Sequence, residues 1–272
     1  MSRPIWKGSI VFGLVNIPIQ LETAVREKTI RFHLLNKDGT CRLRQRLYCP
    51  DSGKEFDFGQ TARGIEIAPG QYVLMDKDEL NRIKPERGRS IQIQQFVELD
   101  KIDPIYFDAA YYITPLKESL NAYRLFHQAL KESQRAGLAQ IVLHDRQHVS
   151  AVRVMGEGLV MHTMHYADEV LSLAETLPAS LRRTPASAKE MRMARQLIDE
   201  MTQPLDLASF KDDYSEQLQT LIDRKKQGKK TTDVLEDVQE FEPGTINLME
   251  ALKRSLESTH KPTNHHPHRK SA

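Results

Sequence analysis

The sequence predicts an α+β fold that is mainly β: short strands forming a barrel or sandwich, followed by a purely helical region. Three observations lead to this. Strand-like stretches recur between residues 10 and 166, two helical stretches interrupt them, and after the proline-bearing stretch 177–185 only helical spacing remains. A chain of 272 residues has room for one large domain with appendages or for two smaller domains.

The predicted strands are short and bounded by turn residues. Residues 10–21, IVFGLVNIPIQL, are β-branched and apolar with Gly and Pro between them. QYVLM at 71–75 and SIQIQQFVEL at 90–99 alternate with a period of two. AQIVLHD at 139–145 precedes VSAVRVMGEGLVMHTMHY at 149–166, which is typical of two strands around a Gly-Glu-Gly turn.

Two helices interrupt these strands. One begins at Asp76, where Glu79 completes an N-cap pair. The other runs from about Ser119 to Gln134 and carries an apolar face of four residues, Leu120, Tyr123, Phe126 and Leu130.

Two further helices are predicted beyond residue 185. Ser187 and Glu190 form a capping-box signature. The first helix then carries Met191, Ala194, Ile198 and Met201, and the second carries Phe210, Tyr214, Leu218 and Leu221. Such apolar stripes must be buried against something.

The C-terminal part changes character again. Residues 231–242 contain five acids and no base, which indicates a solvated linker. INLMEALKRSLES at 246–258 predicts a short amphipathic helix capped by Asn247. A lone helix of this length is marginal in water, so it either folds on a partner or packs back on its own core. The remaining residues predict a disordered, weakly basic tail.

Composition excludes several classes of protein. No apolar run is long enough to span a bilayer and the N-terminus lacks a secretory signal, so we expect a soluble cytoplasmic protein with no membrane partner. The net charge is +2, but eight basic residues stand against three acidic ones between Arg26 and Lys54. The basic charge is therefore concentrated in the N-terminal quarter.

Catalytic motifs are scarce. There is no Gly-rich phosphate loop, nucleophile elbow or HExxH motif, and the pairs His144/His148 and His162/His165 fall in predicted strands and turns. We therefore expect no catalytic residue, no cofactor and no metal. Two alternatives stay open, a metal-dependent nuclease built on Asp76, Asp78 and Asp100, and a sequence-specific DNA-binding regulator.

The stretch CRLRQRLYC at 41–49 contains three arginines at alternate positions, with no acid beside them. We call Arg42, Arg44 and Arg46 the arginine strip. On a β-strand they would share one face, opposite Leu43 and Leu47, which would point into the protein. The spacing fits either a phosphate-binding face or a solvated one. The flanking Cys41 and Cys49 are either small, partly buried residues or half of a zinc site completed by a second protomer.

Several long motifs resemble the bacterial Ku proteins of DNA double-strand-break repair. They occur in the order of that family over most of residues 1–258: MSRPIWKGSIVFGLVNIPIQL at 1–21, RFHLL at 31–35, GQYVLMDKDEL at 70–80, FVELDKIDPIYFDAAYYITP at 96–115, MHYADEV at 164–170 and NLMEALKRSL at 247–256.

The resemblance implies a Ku-type β-barrel core over residues 1–178, with an inserted DNA-encircling bridge at 36–70. A helical C-terminal arm follows at 179–228, then the acidic linker at 229–245 and a partner-docking helix with its tail at 246–272. It implies a homodimeric ring that binds double-stranded DNA ends without sequence preference, is nucleoid-associated, and recruits an ATP-dependent repair ligase of the ligase D type. The residues expected to face DNA are Arg31, Lys37, Arg42, Arg44, Arg46, Lys54 and Arg63. Those expected to dock the ligase are Leu248, Met249, Leu252 and Leu256.

Overall fold

The computed structural model describes residues 4–85, 88–178 and 187–227. The chain divides into two compact units, Met1–Leu173 and Ala174–Ala272. The predicted linker at 229–245 and the predicted docking helix at 246–272 lie outside the described residues.

The first unit contains a closed barrel of seven strands. They are β1 (Trp6–Phe12), β2 (Val15–Thr23), β7 (Ser90–Glu98), β8 (Phe107–Pro115), β9 (Arg135–Leu143), β10 (Arg146–Met155) and β11 (Gly158–Met164). Around the barrel the order is β1, β2, β8, β11, β10, β9, β7. Neighbouring strands are antiparallel except β1 and β7, whose parallel pairing closes the barrel. This confirms the predicted α+β, mainly β fold.

Tight turns connect the two strands of each barrel hairpin, and the residues in these turns adopt a left-handed backbone. Gly13 in the β1–β2 turn and Gly156 in the β10–β11 turn have positive φ angles of 55° and 56°. The two residues between β9 and β10, His144 and Asp145, also have positive φ, at 51° and 63°. Two consecutive left-handed residues match the strand twist of a two-residue hairpin, and Asp tolerates that conformation better than most residues.

Helix α2 (Leu120–Ser133) shares the barrel's core, as its predicted apolar face requires. Tyr123, Phe126 and Leu130 are buried with the isoleucines and leucines that alternate along the strands. Phe126 stacks on Phe12 with ring centroids 4.9 Å apart. Leu120, the first residue of the predicted stripe, remains exposed because it lies at the helix start.

A long insertion interrupts the barrel between β2 and β7. We call residues 24–89 the insertion. It contains four short strands, β3 (Leu47–Tyr48), β4 (Glu55–Phe56), β5 (Arg63–Ala68) and β6 (Gln71–Met75), and one helix, α1 (Lys77–Arg82). β3 pairs with β4 and β5 with β6, and neither pair joins the barrel sheet. The predicted capping box of Asp76 and Glu79 starts α1.

The second unit contributes two helices among the described residues, α4 (Ala188–Met201) and α5 (Asp213–Lys226). A four-residue helix, α3 (Leu173–Thr176), precedes them at the boundary between the units. The predicted capping box of Ser187 and Glu190 is present. Phe210, expected on the second helix, instead lies before its start. No residue of α4 or α5 is fully buried. Met191, Ile198 and Met201 of the first stripe are exposed, whereas Leu218 and Leu221 of the second are half-buried.

Across the described ranges, no helix combines the length and apolar character needed to cross a membrane.

Candidate nucleic-acid interface

All seven residues predicted to face DNA lie in the insertion, and all are exposed. They are Arg31, Lys37, Arg42, Arg44, Arg46, Lys54 and Arg63. Arg31 precedes the first of three successive hairpins, Arg44 and Arg46 lie between the first two, and the other four residues lie on the hairpins.

The first hairpin is formed by residues 34–43. Leu43 donates its backbone N–H to the carbonyl of Leu34 (2.8 Å), and Asn36 donates to the carbonyl of Cys41 (3.0 Å). The Asn36 side chain accepts from the Cys41 N–H at 2.9 Å, and Gly39 supplies the left-handed turn with a φ of 71°. Lys37 lies in this turn, so its ammonium group is at the tip of the hairpin.

The second hairpin pairs β3 with β4 through the turn CPDSGK at 49–54. Cys49 donates its N–H to the Lys54 carbonyl at 2.9 Å, and Gly53 closes the turn with a φ of 65°. This pairing brings Glu55 beside Arg46, and the two form an ion pair in which Arg46 donates from Nη1 to Glu55 Oε2. The expectation that the arginine strip has no nearby acid is therefore wrong for Arg46.

The alternation expected for the arginine strip is not present. Arg42 forms an isolated bridge with Leu35, and residues 43–46 belong to no strand. Leu43 and Leu47, expected to point into the protein, are 52% and 37% exposed. The reason is that β3 is only two residues long and has no second layer to pack against. The strip thus begins on the first hairpin at Arg42 and continues as solvent-facing residues toward the second hairpin.

Two cysteines flank the strip, and neither is in a disulfide. Cys41 is exposed, whereas Cys49 is half-buried at the start of its turn. Hydrogen bonds to the Cys49 sulfur, chiefly from the Ser52 hydroxyl and then from the backbone of Ser52 and Asp51, lower the pKa of the Cys49 thiol. The zinc site was only an alternative to the expected absence of metal, and because it needs a second protomer a single chain does not test it.

The third hairpin, β5–β6, carries Arg63 at its open end, paired with Met75. Its apolar side chains are uncovered on both faces. Ile65 and Val73 share one face and are 60% and 44% exposed, while Tyr72 and Leu74 share the other and are 62% and 69% exposed. A two-stranded ribbon with two bare apolar faces is not expected to be stable alone in water.

The electrostatics of the insertion favour anions. In the described part of the chain, no carboxylate forms an ion pair with Arg42 or Arg44. Their guanidinium groups can therefore donate paired hydrogen bonds to phosphate oxygens without first breaking a contact. Arg46 has to leave Glu55, or share it, before it can do the same.

The alternative sites receive little support from the geometry. Asp76 accepts the backbone N–H of Asp78 at 3.4 Å as the cap of α1, whereas Asp100 lies in the β7–β8 connection of the barrel. Among the described residues, no three His, Cys, Asp or Glu side chains are arranged to hold a metal ion.

The histidine pairs also fall where the sequence predicted. His144 occupies the β9–β10 turn, His148 lies on β10 and His162 lies on β11. His162 accepts a hydrogen bond from Arg153 Nε at 3.1 Å. Burial, and then the charge of Arg153, lower the pKa of His162.

Sequence reasoning missed two ion pairs that involve the insertion. Glu55 lies one residue beyond the basic run, but the turn residues Pro50, Asp51 and Gly53 signal a hairpin, in which Glu55 pairs with Tyr48 and comes within reach of Arg46. The second pair joins Lys84 to Asp145 at 3.4 Å. Because these residues are 61 positions apart, no local pattern could have revealed their contact.

A closed β-barrel interrupted by a long, basic, hairpin-rich insertion defines a class of barrel protein suited to a polyanionic ligand. The family model for the Ku70/Ku80 beta-barrel domain matches residues 11–193. The chain belongs to the Ku family.

Three relatives illustrate the match, and each is named non-homologous end joining protein Ku. The protein of Heliobacterium modesticaldum is 41% identical over 256 residues, covering 94% of this chain and 91% of its own. The protein of Solibacter usitatus is 36% identical over 258 residues, covering 95% of this chain and 94% of its own. That of Archaeoglobus fulgidus is 36% identical over 256 residues, covering 94% and 99%.

Proposed function

We propose that the chain binds the ends of double-stranded DNA in non-homologous end joining, as a homodimeric ring threaded by the duplex. It acts by binding rather than by catalysis. The observation that carries this proposal is a Ku-family barrel whose insertion presents exposed, mostly unpaired basic side chains. Arg31, Lys37, Arg42, Arg44, Lys54 and Arg63 contact the phosphates, and Arg46 joins them once it is released from Glu55.

Binding of this kind requires no sequence recognition. Lysine and arginine that neutralise phosphates release condensed counterions, which gives affinity for any duplex. Phosphate contacts carry no direct base information, so a break of any sequence is a substrate. Closure around the duplex then restricts entry to DNA ends, and this restriction makes the protein specific for breaks.

The uncovered apolar surface supports the homodimer. The insertion exposes large apolar side chains on and beside all three hairpins, including Phe32, Leu34, Leu43, Tyr48, Phe58, Ile65, Ile67, Tyr72 and Leu74. The helical arm adds Ile198, Met201, Phe210 and Tyr214. A stable monomer rarely exposes this much apolar surface, and a second copy related by a two-fold axis would cover it and close the ring.

The C-terminal segment supplies the ligase contact in this proposal. NLMEALKRSL forms an amphipathic helix on the partner, with Leu248, Met249, Leu252 and Leu256 entering an apolar groove. The support is the spacing of these residues together with the acidic stretch before them, which separates the segment from the arm.

Competition between DNA topologies tests the proposed function. A labelled linear duplex is bound by the purified protein, and unlabelled linear or covalently closed circular DNA of the same sequence is added. We expect the linear competitor to displace the probe far better per base pair, because the ring loads only from ends. Equal competition by the circle would overturn the ring.

Truncation tests the ligase contact separately. Removing residues 246–272 should abolish stimulation of an ATP-dependent end-joining ligase while end binding is retained. The matched control replaces Leu252 and Leu256 by serine in the full-length chain, which keeps the tail but removes two anchors. Undiminished stimulation of the ligase by both variants would contradict the proposed docking role of residues 246–272.

A further inference from the structure

The insertion is joined to the barrel at both of its ends by backbone hydrogen bonds. On the outgoing side, Ala24 donates to the carbonyl of Ala110 at 3.2 Å. On the returning side, Ser9 donates to the carbonyl of Arg89 at 2.9 Å. Between these two points the described hairpins of the insertion each pair within themselves and not with the barrel sheet. Their orientation on the barrel therefore depends on side-chain contacts.

Lys84 makes such a contact. It follows the last turn of α1, whose capped start comes directly after β6. Together with Phe58, Arg63 and Leu74 it lines a cleft of about 860 Å³ within the insertion. Lys84 therefore lies at the same cleft as Arg63 of the β5–β6 hairpin, one of the proposed phosphate contacts.

Asp145 belongs to the barrel and is held firmly in place. It occupies the two-residue β9–β10 turn, where Arg146 pairs with Leu143 in the sheet. Leu143 and Ile141 of the same hairpin are buried in the core. The Asp145 carboxylate accepts from Lys84 Nζ at 3.4 Å, with the two side chains 35% and 44% exposed.

We propose that the Lys84–Asp145 ion pair is a positioning contact, which holds the insertion at the angle to the barrel that DNA ends require. This inference rests on the proposed function. A partly exposed ion pair adds little to global stability. It can nevertheless matter for binding, because a loosely held insertion populates the binding-competent orientation less, and affinity falls by that fraction.

Two roles of Lys84, positioning the insertion and contacting DNA directly, predict opposite effects of removing the charge of Asp145. If Lys84 touched a phosphate, Asp145 would compete for its charge, and neutralising Asp145 would strengthen binding. If Lys84 positions the insertion, neutralising either partner weakens binding. The sign of the Asp145→Asn effect therefore distinguishes the two roles, and Asn is suitable because it tolerates the left-handed backbone of the turn.

The experiment measures end-binding affinity for wild type, Lys84→Gln, Asp145→Asn and the double variant on a short linear duplex. We expect each single variant to bind about threefold to tenfold more weakly, and the double variant to lose less than the two single losses combined, since both single changes remove the Lys84–Asp145 contact. Amide hydrogen exchange should rise in residues 77–85 without a change in the urea midpoint of the barrel. Lys226→Gln, which removes the 3.1 Å ion pair with Asp223 on α5, is the control and should bind as wild type does.

Three results would overturn the inference: an Asp145→Asn protein that binds as tightly as wild type or more tightly, additive losses in the double variant, or unchanged exchange in residues 77–85. Failure of the proposed function is distinguishable, because the wild-type protein itself would then show no preference for ends.

Discussion

Replacing Arg42 and Arg44 by alanine should weaken end binding and reduce its dependence on salt. Both side chains are exposed, and in the described part of the chain neither forms an ion pair, so their loss should leave the fold intact. Each phosphate contact contributes about 0.9 to the slope of log affinity against log salt. A dimer presents four of these arginines, so full engagement lowers the slope by up to about 3.6.

Arg46 behaves differently because Glu55 already holds it. Glu55→Gln removes the competing carboxylate and frees two arginines per dimer. We therefore expect tighter end binding and a slope that is steeper by up to about 1.8. This variant is the matched control for Arg42→Ala/Arg44→Ala, because it changes charge on the same hairpins in the opposite direction.

The assay is fluorescence anisotropy of a short labelled duplex, titrated at several salt concentrations, with circular dichroism to verify folding. If the double alanine protein kept the wild-type affinity and slope, the arginine strip would face solvent and the DNA would run elsewhere. If Glu55→Gln weakened binding, Glu55 would be holding Arg46 in place for DNA instead of competing for it.

Three further predictions concern stability and assembly. Tyr123→Phe should lower the free energy of unfolding by about 2 to 4 kcal/mol in urea titrations, because the buried Tyr123 hydroxyl donates to the Ile113 carbonyl and accepts from the Leu159 N–H, both at 2.8 Å. A loss below about 1 kcal/mol would contradict this. Gly8→Ala should lower the free energy of unfolding by about 2 kcal/mol or more, because the added Cβ would lie 2.2 Å from the Arg89 carbonyl oxygen. Gly59→Ala, with open space around it, should leave stability unchanged, and equal effects of the two variants would be evidence against close packing where β1 meets β7. Sedimentation equilibrium should give twice the 31.3 kDa chain mass, and a folded monomer that still binds ends would refute the dimer.

The individual strands, turns and helix caps were predictable because their signals are local, whereas the strand pattern left a barrel and a sandwich both open. Strand alternation in SIQIQQFVEL, the turn glycines at 13 and 156, and the caps at Asp76 and Ser187 each determine a few neighbouring residues, and all of them appear in the structure. Closure of the barrel was harder to predict from the sequence, because the parallel pairing of Ser9 with Ser90 joins distant parts of the chain.

The insertion was predicted less well, for a physical reason. Alternation specifies a face only where a strand has a covered side, and Leu43 and Leu47 have none in this chain. The Arg46–Glu55 and Lys84–Asp145 pairs depend on how hairpins fold back, which spacing in the arginine strip does not encode. The concentration of basic residues in the sequence pointed to the candidate interface, whereas the ion pairs within it could be identified only from the three-dimensional structure.

Topological trapping tests the central claim most directly. The protein is loaded on a linear duplex carrying biotin at both ends, streptavidin is then added, and the complex is challenged with high salt. We expect blocked DNA to retain the protein and unblocked DNA to release it, because a closed ring can leave only over an end. Equal release from both would mean that the protein binds the side of the duplex and does not encircle it.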